Sequence, residues 1–220
     1  LSDSQNSSDW PRLFRITCSL IDQVNAEQTI IDEWSFGGGT ALMLQIGHRE
    51  SHDIDIFLPD AQYLALLNPD KRDFEFEVRP AEYNGDGTSF LKLAFEGIGE
   101  IDFIVGHAMT DQPTTKQTVE ERSVDLETAS EIITKKIHYR AASIKPRDIF
   151  DIAAAAEKNE ADIVAALKDY KDDVAKALET MNKLKPDFVA ASIAALAIKD
   201  EYKSLAPKAL QRAKEVLSKV

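Results

Sequence analysis

Cysteine is almost absent: Cys18 is the only one in 220 residues. A lone thiol excludes an intrachain disulfide and any cysteine-rich metal site, and it fits a reducing, cytoplasmic setting. Long hydrophobic runs are missing too. No apolar stretch approaches the roughly 18–20 residues of a membrane span, and the polar opening LSDSQNSSDW lacks the apolar segment of a secretory signal. No membrane partner is therefore expected. The four histidines, His48, His52, His107 and His138, are scattered and form no set of zinc ligands. No stripe of basic residues with interleaved aromatics marks a nucleic-acid-binding module. Positive charge is scarce in the first half: residues 1–110 carry 7 Lys and Arg against 19 Asp and Glu, whereas residues 111–220 balance at 19 and 19. The whole net charge of −12 thus belongs to the first half. Such a half repels polyanions and suits a site that collects cations.

What remains is ordinary globular composition, 44% hydrophobic and 29% charged, in a chain long enough to bury a core. One stretch organises it: Gly37 to Phe57, GGGTALMLQIGHRESHDIDIF. Glycines lead through Thr40 into a short apolar helix, closed by Gly47, and then into a strand carrying Asp53 and Asp55. Alternate strand residues share a face, so both carboxylates point one way and Ile54 and Ile56 point into the core. Roughly 6.6 Å separates such a pair, and at an effective dielectric of about 20 its repulsion is about 2.5 kcal/mol. A hard divalent cation such as Mg²⁺ relieves that repulsion by taking carboxylate oxygens. Gly38, Gly39 and Thr40 set backbone N–H groups at a helix start, which suits phosphate. Each feature also has a plain reading, a tight strand-to-helix turn for the glycines and a solvated strand face for the aspartates. Their proximity in sequence is what suggests nucleotide chemistry.

Around this stretch the chain reads as α+β. An amphipathic helix is expected from Trp10 to about Asn25, after a loose polar arm over residues 1–9. Strands are expected over Asp53–Leu58, Phe74–Arg79, Phe90–Phe95 and Glu100–Val105, with a turn at residues 84–87. Residues 111–127 read as a linker with an edge strand at Gln117–Val124. Beyond it, helices are expected over Ala129–Ala142, Pro146–Lys158, Ala161–Met181, Pro186–Ile198 and Pro207–Val220. The expected domains are thus an N-terminal mixed sheet with helices over residues 1–110 and a helical part over 128–220.

Two further groups bear on chemistry. Asp102 lies in a core-like strand, where a lone acid is costly unless paired or metal-bound. If its strand neighbours Asp53 and Asp55, three carboxylates converge, enough for two ions. Glu100 shares its face at the strand's start and reads as solvated. Lys136 and Arg140 lie four apart on one helix face, next to Lys135. They read either as a solvated face or as a cationic wall for a triphosphate. Asp148, just inside a helix start, is either a favourable terminal charge or part of the site.

Together these residues resemble the AbiEii/AbiGii-type nucleotidyltransferases of the polymerase-β-like superfamily. The carriers are Gly38-Gly39-Thr40-Ala41-Leu42, then Arg49-x-Ser51-x-Asp53-Ile54-Asp55; the later Asp102; and Lys136, Arg140 and the run Arg147-Asp148-x-x-Asp151. The resemblance covers about residues 30–155. It implies a polymerase-β-like core that moves a nucleotide from an NTP to an acceptor, which could be RNA such as tRNA, protein or a small molecule. It implies a toxin of a toxin–antitoxin or phage-defence system, with an antitoxin as partner. On this reading Asp53, Asp55 and Asp102 hold two Mg²⁺ ions, with Mn²⁺ as the alternative. Gly38, Gly39 and Thr40 hold phosphates, Ser51 binds phosphate or caps its turn, and Lys136 and Arg140 neutralise the leaving pyrophosphate. Arg49, Arg147, Asp148 and Asp151 support them. The competing readings are a non-catalytic nucleotide- or protein-binding regulator and an antibiotic-modifying nucleotidyltransferase.

Overall fold

The computed structural model describes residues 9–220; the expected polar arm lies outside them, apart from Asp9. In chain order the elements are α1 (Trp10–Val24), β1 (Ser35–Gly37), α2 (Gly38–Ile46), β2 (Ile54–Leu58), α3 (Gln62–Leu67), β3 (Glu82–Gly85), β4 (Phe90–Phe95), β5 (Gly99–Val105), β6 (Thr114–Val119) and β7 (Arg122–Glu127). The helices α4 (Ala129–Arg140), α5 (Pro146–Leu167), α6 (Lys171–Lys183), α7 (Pro186–Ala194) and α8 (Ala209–Leu217) follow. No helix among the described residues is long and apolar enough to cross a membrane.

The chain divides into two compact units. The first takes the stretch up to Thr40, Ser51–His107 and Lys116–Leu126; the second takes Ala41–Glu50, Ala108–Thr115 and Glu127–Val220. The sequence reading cuts the chain at 110 and 127, but the structure interleaves the two. The segment expected as a linker forms β6 and β7, joined by a tight turn in which Glu120 and Glu121 both have positive φ. That is the geometry of the two-residue turns matching the strands' right-handed twist.

The strands form one mixed sheet in the order β3-β4-β5-β2-β1-β7-β6. The central strand β2 pairs antiparallel with β1 and parallel with β5, and β4 pairs antiparallel with β5. Alternation decides the faces. Ile54, Ile56, Leu58, Leu91, Leu93, Ile101 and Phe103 are buried on one side. The helix α1 supplies Leu13, Phe14, Ile16, Leu20 and Ile21 to the same core, with Phe14 stacked on Phe36 at 5.2 Å. The opposite face of β2, β4 and β5 is left for Asp55, Lys92, Glu100 and Asp102.

The second unit is helical. The run Ala153–Ala156 on α5 is buried, and its small side chains let neighbouring helices approach closely. The expected break near residue 160 is milder than a helix end: α5 runs on to Leu167 through one non-helical residue, Asn159. Thr128 caps α4, its hydroxyl accepting from the Glu131 amide at 3.2 Å.

Candidate active site

The first unit gathers the acidic residues by strand register. Asp55 on β2 lies opposite Asp102 on β5, in strands that run parallel. Neighbouring strands are about 4.8 Å apart, so the two side chains leave the sheet side by side on one face. Asp53, two residues upstream of Asp55, joins them at the entry to β2, and its Oδ1 accepts from the Glu100 amide at 3.1 Å. Gly99, just before that amide, has φ +146, and a Cβ there would lie 3.4 Å from Asp53 Oδ1.

The glycine turn meets the same place from the other side. Gly37 on β1 is opposite Asp55, and Gly38 opens α2 with φ +69. A Cβ on Gly38 would fall 1.9 Å from Asp55 Oδ2. The Asp55 carboxylate therefore rests on glycine backbone where no side chain fits. Thr40 differs from the phosphate role expected of it. It is fully buried, and its hydroxyl donates to the Asp53 carbonyl at 2.5 Å, tying the turn to the start of β2. Ser51 is also buried. The amides of the first turn of α2 have no acceptor within the helix, so an anion can use them.

Lys92 is the site residue that sequence reasoning missed. It stands opposite Asp102 on β4, and its Nζ donates to Asp102 Oδ2 at 2.9 Å and also to Glu100. Glu100, expected to be solvated, is thus ion-paired. Burial pushes the Asp102 carboxyl above its ordinary value; Lys92 pulls against that shift, while Glu100 and Asp53 add to it. For Lys92, burial works against the ammonium, but the bonds to Glu100 and Asp102 prevail and hold it above its usual range. The only signal for Lys92 in the sequence is a polar residue at the centre of the alternating strand FLKLAF.

The donor set, oxygens of three carboxylates beside a glycine turn, is of the kind a hard cation takes. It is not a finished cage: among the described residues no three His, Cys, Asp or Glu side chains are gathered to hold a metal ion. Asp102 is turned toward Lys92, and Asp53 toward the Glu100 amide.

The remaining expected residues, Arg147 apart, form a second cluster, inside the helical unit. Asp151 is fully buried and accepts from Arg49 through Nε at 2.7 Å and Nη2 at 2.9 Å, a two-pronged pair, and it lies 2.9 Å from His48 Nε2. Lys136 Nζ is 2.9 Å from Asp148 Oδ1 and 3.1 Å from Asp151 Oδ2. Arg140 reaches Asp148 at 3.1 Å, and Arg147 is exposed. Burial pushes both aspartates up, but Lys136 with Arg140 for Asp148, and Lys136 with Arg49 for Asp151, outweigh it and hold both carboxyls below the ordinary range. Neither lysine of α4 lies on a solvated face. Lys136 is buried here, and Lys135 is buried against Glu127 at 2.5 Å and Glu131 at 3.3 Å. Glu131 in turn accepts from the Met109 amide at 3.0 Å and the Thr110 hydroxyl at 2.8 Å. His48, fully buried with Nδ1 lacking a partner among the described residues, was not singled out by its sequence context.

The family model for the AbiEii toxins, described as nucleotidyl transferases of type IV toxin–antitoxin systems, matches residues 20–219. The chain belongs to the AbiEii family. It is thereby a nucleotidyltransferase toxin. Solved structures agree in fold. The mycobacterial nucleotidyltransferase toxin MenT4, from Mycobacterium tuberculosis H37Rv, superposes with a TM-score of 0.54 at 14% identity, covering 96% of this chain and 83% of that one. An H. pylori protein assigned to the nucleotidyltransferases gives 0.51 at 16% identity, over 99% of this chain and 95% of that one. At such identities the likeness speaks for the fold alone. No curated protein matches the chain. The AbiEii match extends past residue 155, where the sequence motifs end, so the late helices belong to the family pattern as well.

Proposed function

We propose that this AbiEii member moves a nucleotide from an NTP to an acceptor hydroxyl, in a Mg²⁺-dependent reaction whose ion ligands are Asp53, Asp55 and Asp102. One observation carries the reading: Asp55 pairs in register with Asp102 while its carboxylate rests on the Gly38 turn. Mg²⁺ held by these carboxylates, or Mn²⁺ in its place, supplies positive charge to the triphosphate and the departing pyrophosphate. The chain's own groups do the rest. The amides of Gly38 and Gly39 hold phosphate oxygens at the start of α2. Thr40 keeps that turn against β2 through the Asp53 carbonyl. Asp102 takes the proton of the acceptor hydroxyl as its oxygen bonds to the α-phosphorus and the bond to pyrophosphate breaks.

Of the two cations expected at the triphosphate, Lys136 is engaged by two buried carboxylates and is assigned to hold Asp148 and Asp151. Arg140 bonds Asp148 in the same cluster and keeps a side chain 38% exposed. The acceptor is RNA, protein or a small molecule, and a cognate antitoxin restrains the toxin. The test supplies each α-labelled NTP with Mg²⁺ to total RNA, total protein and aminoglycosides. Wild type should label one class and release pyrophosphate. Asp53→Ala and Asp55→Ala should abolish labelling with unfolding curves like the parent's. Full transfer by both variants would end this reading, and nucleotide binding without any released pyrophosphate would favour a regulator.

A further inference from the structure

The acidic face of the sheet contains its own cation. Register lines up one row across four strands: Gly37 on β1, Asp55 on β2, Asp102 on β5 and Lys92 on β4. Side chains directly opposite in paired strands share a face, so the lysine stem enters the acidic face from its flank. Lys92 is the only Lys or Arg in β2, β4 and β5, where it faces Asp55, Glu100 and Asp102, with Asp53 at the entry to β2. Its ammonium lies 2.9 Å from Asp102 Oδ2. Asp102 is also one of the carboxylates a divalent ion would draw on. The ammonium bonds two of the carboxylates on this face, Asp102 and Glu100.

We propose that Lys92 is an internal competitor for the divalent cation: its ammonium and the metal claim the same Asp102 carboxylate, and one leaves when the other arrives. The inference rests on the metal-dependent reading above and adds a positioning residue that the AbiEii motifs do not contain. A lysine suits this exchange. Its charge is a point on a flexible four-carbon stem with no fixed fork to dismantle, unlike arginine, and the pair is partly exposed, with side chains 34% and 19% accessible. When Asp102 turns to a metal, Glu100 remains as the lysine's partner on the same face.

The test measures Mn²⁺ binding by electron paramagnetic resonance on the full chain without nucleotide. Lys92→Met should bind Mn²⁺ on the order of fivefold more tightly than wild type, the size of a part-exposed ion pair of about 1 kcal/mol. In the Asp102→Asn background the same substitution should change affinity less than about twofold, since the shared carboxylate is gone. Equal tightening in both backgrounds would mean a general field effect and would overturn the inference, as would unchanged or weaker binding by Lys92→Met. The two readings fail separately. Mn²⁺ binding that needs Asp53 and Asp55 but ignores Lys92 removes only this inference, whereas wild-type protein that binds no Mn²⁺ removes both.

Discussion

Replacing Gly38 with alanine tests whether the glycine turn and Asp55 are one construction. The backbone there has φ +69, and the left-handed region costs a residue with a Cβ about 1–2 kcal/mol. The new methyl would lie 1.9 Å from Asp55 Oδ2, 2.4 Å from its Cγ and 2.7 Å from its Cβ. A new rotamer moves Oδ2 and Cγ but not Cβ, so the turn or the strand itself must shift. Overpacking of that kind costs about 1–3 kcal/mol, giving about 2–5 kcal/mol in total. For a chain of this size that is a fall in melting temperature of roughly 4–20 °C. Asp55→Ala removes the two shortest contacts and leaves the backbone cost and the 2.7 Å contact with Cβ, so the two substitutions should be coupled in part. Urea unfolding of the four proteins of the double-mutant cycle reads this directly, and Gly38→Ala should cost at least about 1 kcal/mol less when Asp55 is already alanine. Nucleotide transfer by Gly38→Ala should fall to the level of Asp55→Ala. Costs that add within about 0.3–0.5 kcal/mol would refute the claim that Asp55 rests on this glycine.

Three other predictions concern the buried cluster of the helical unit. Asp151→Asn leaves the Arg49 guanidinium and the Lys136 ammonium short of a counter-charge, and breaking a buried pair in this way costs about 3–5 kcal/mol; a loss in urea midpoint worth less than about 1 kcal/mol would contradict it. Arg49→Lys should also be destabilising, because an ammonium cannot make the two-pronged contact with Asp151. The acid limb of stability follows from the depressed carboxyls of Asp148 and Asp151. Their contribution is present above the unfolded aspartate value near 3.9 and is lost as pH falls through the lower folded values. Urea midpoints taken between about pH 5 and 2 should fall less steeply for Asp151→Asn than for wild type, and parallel curves would count against the assignment.

Much of the site can be read from the sequence because its signals are local. Gly38, Asp53 and Asp55 lie within eighteen residues of one another, and alternation alone puts both acids on one side of β2. Asp102 needed only the guess that two look-alike strands are neighbours. What stays hidden depends on partners distant in the chain. The segment Phe74–Arg79 alternates like a strand but forms none, because the Gln23 side chain takes both the amide and the carbonyl of Glu75, at 2.8 and 2.9 Å, where a neighbouring strand would have to bond. Lys135 and Lys136 look like helix-surface charges until Glu127, Glu131, Asp148 and Asp151 fold around them. Lys92 looks like an ordinary outward residue of β4 until the register puts Asp102 opposite it.

The same register explains how a strand can carry closely spaced acids. Mutual repulsion of Asp53 and Asp55 is about 2.5 kcal/mol at an effective dielectric of about 20. On the other face of β2, Ile54, Ile56 and Leu58 are each 0% exposed, and burying such side chains stabilises by about 1.5–3 kcal/mol apiece. Three of them outweigh the repulsion at least about twofold. A slip by one residue would bring the acids into the core and the apolar side chains out of it. The apolar face therefore holds the acidic face in place. Lys92 balances charge at the Asp102 end of the row through its bond to Oδ2, and Asp53 is held at the other end by the Glu100 amide.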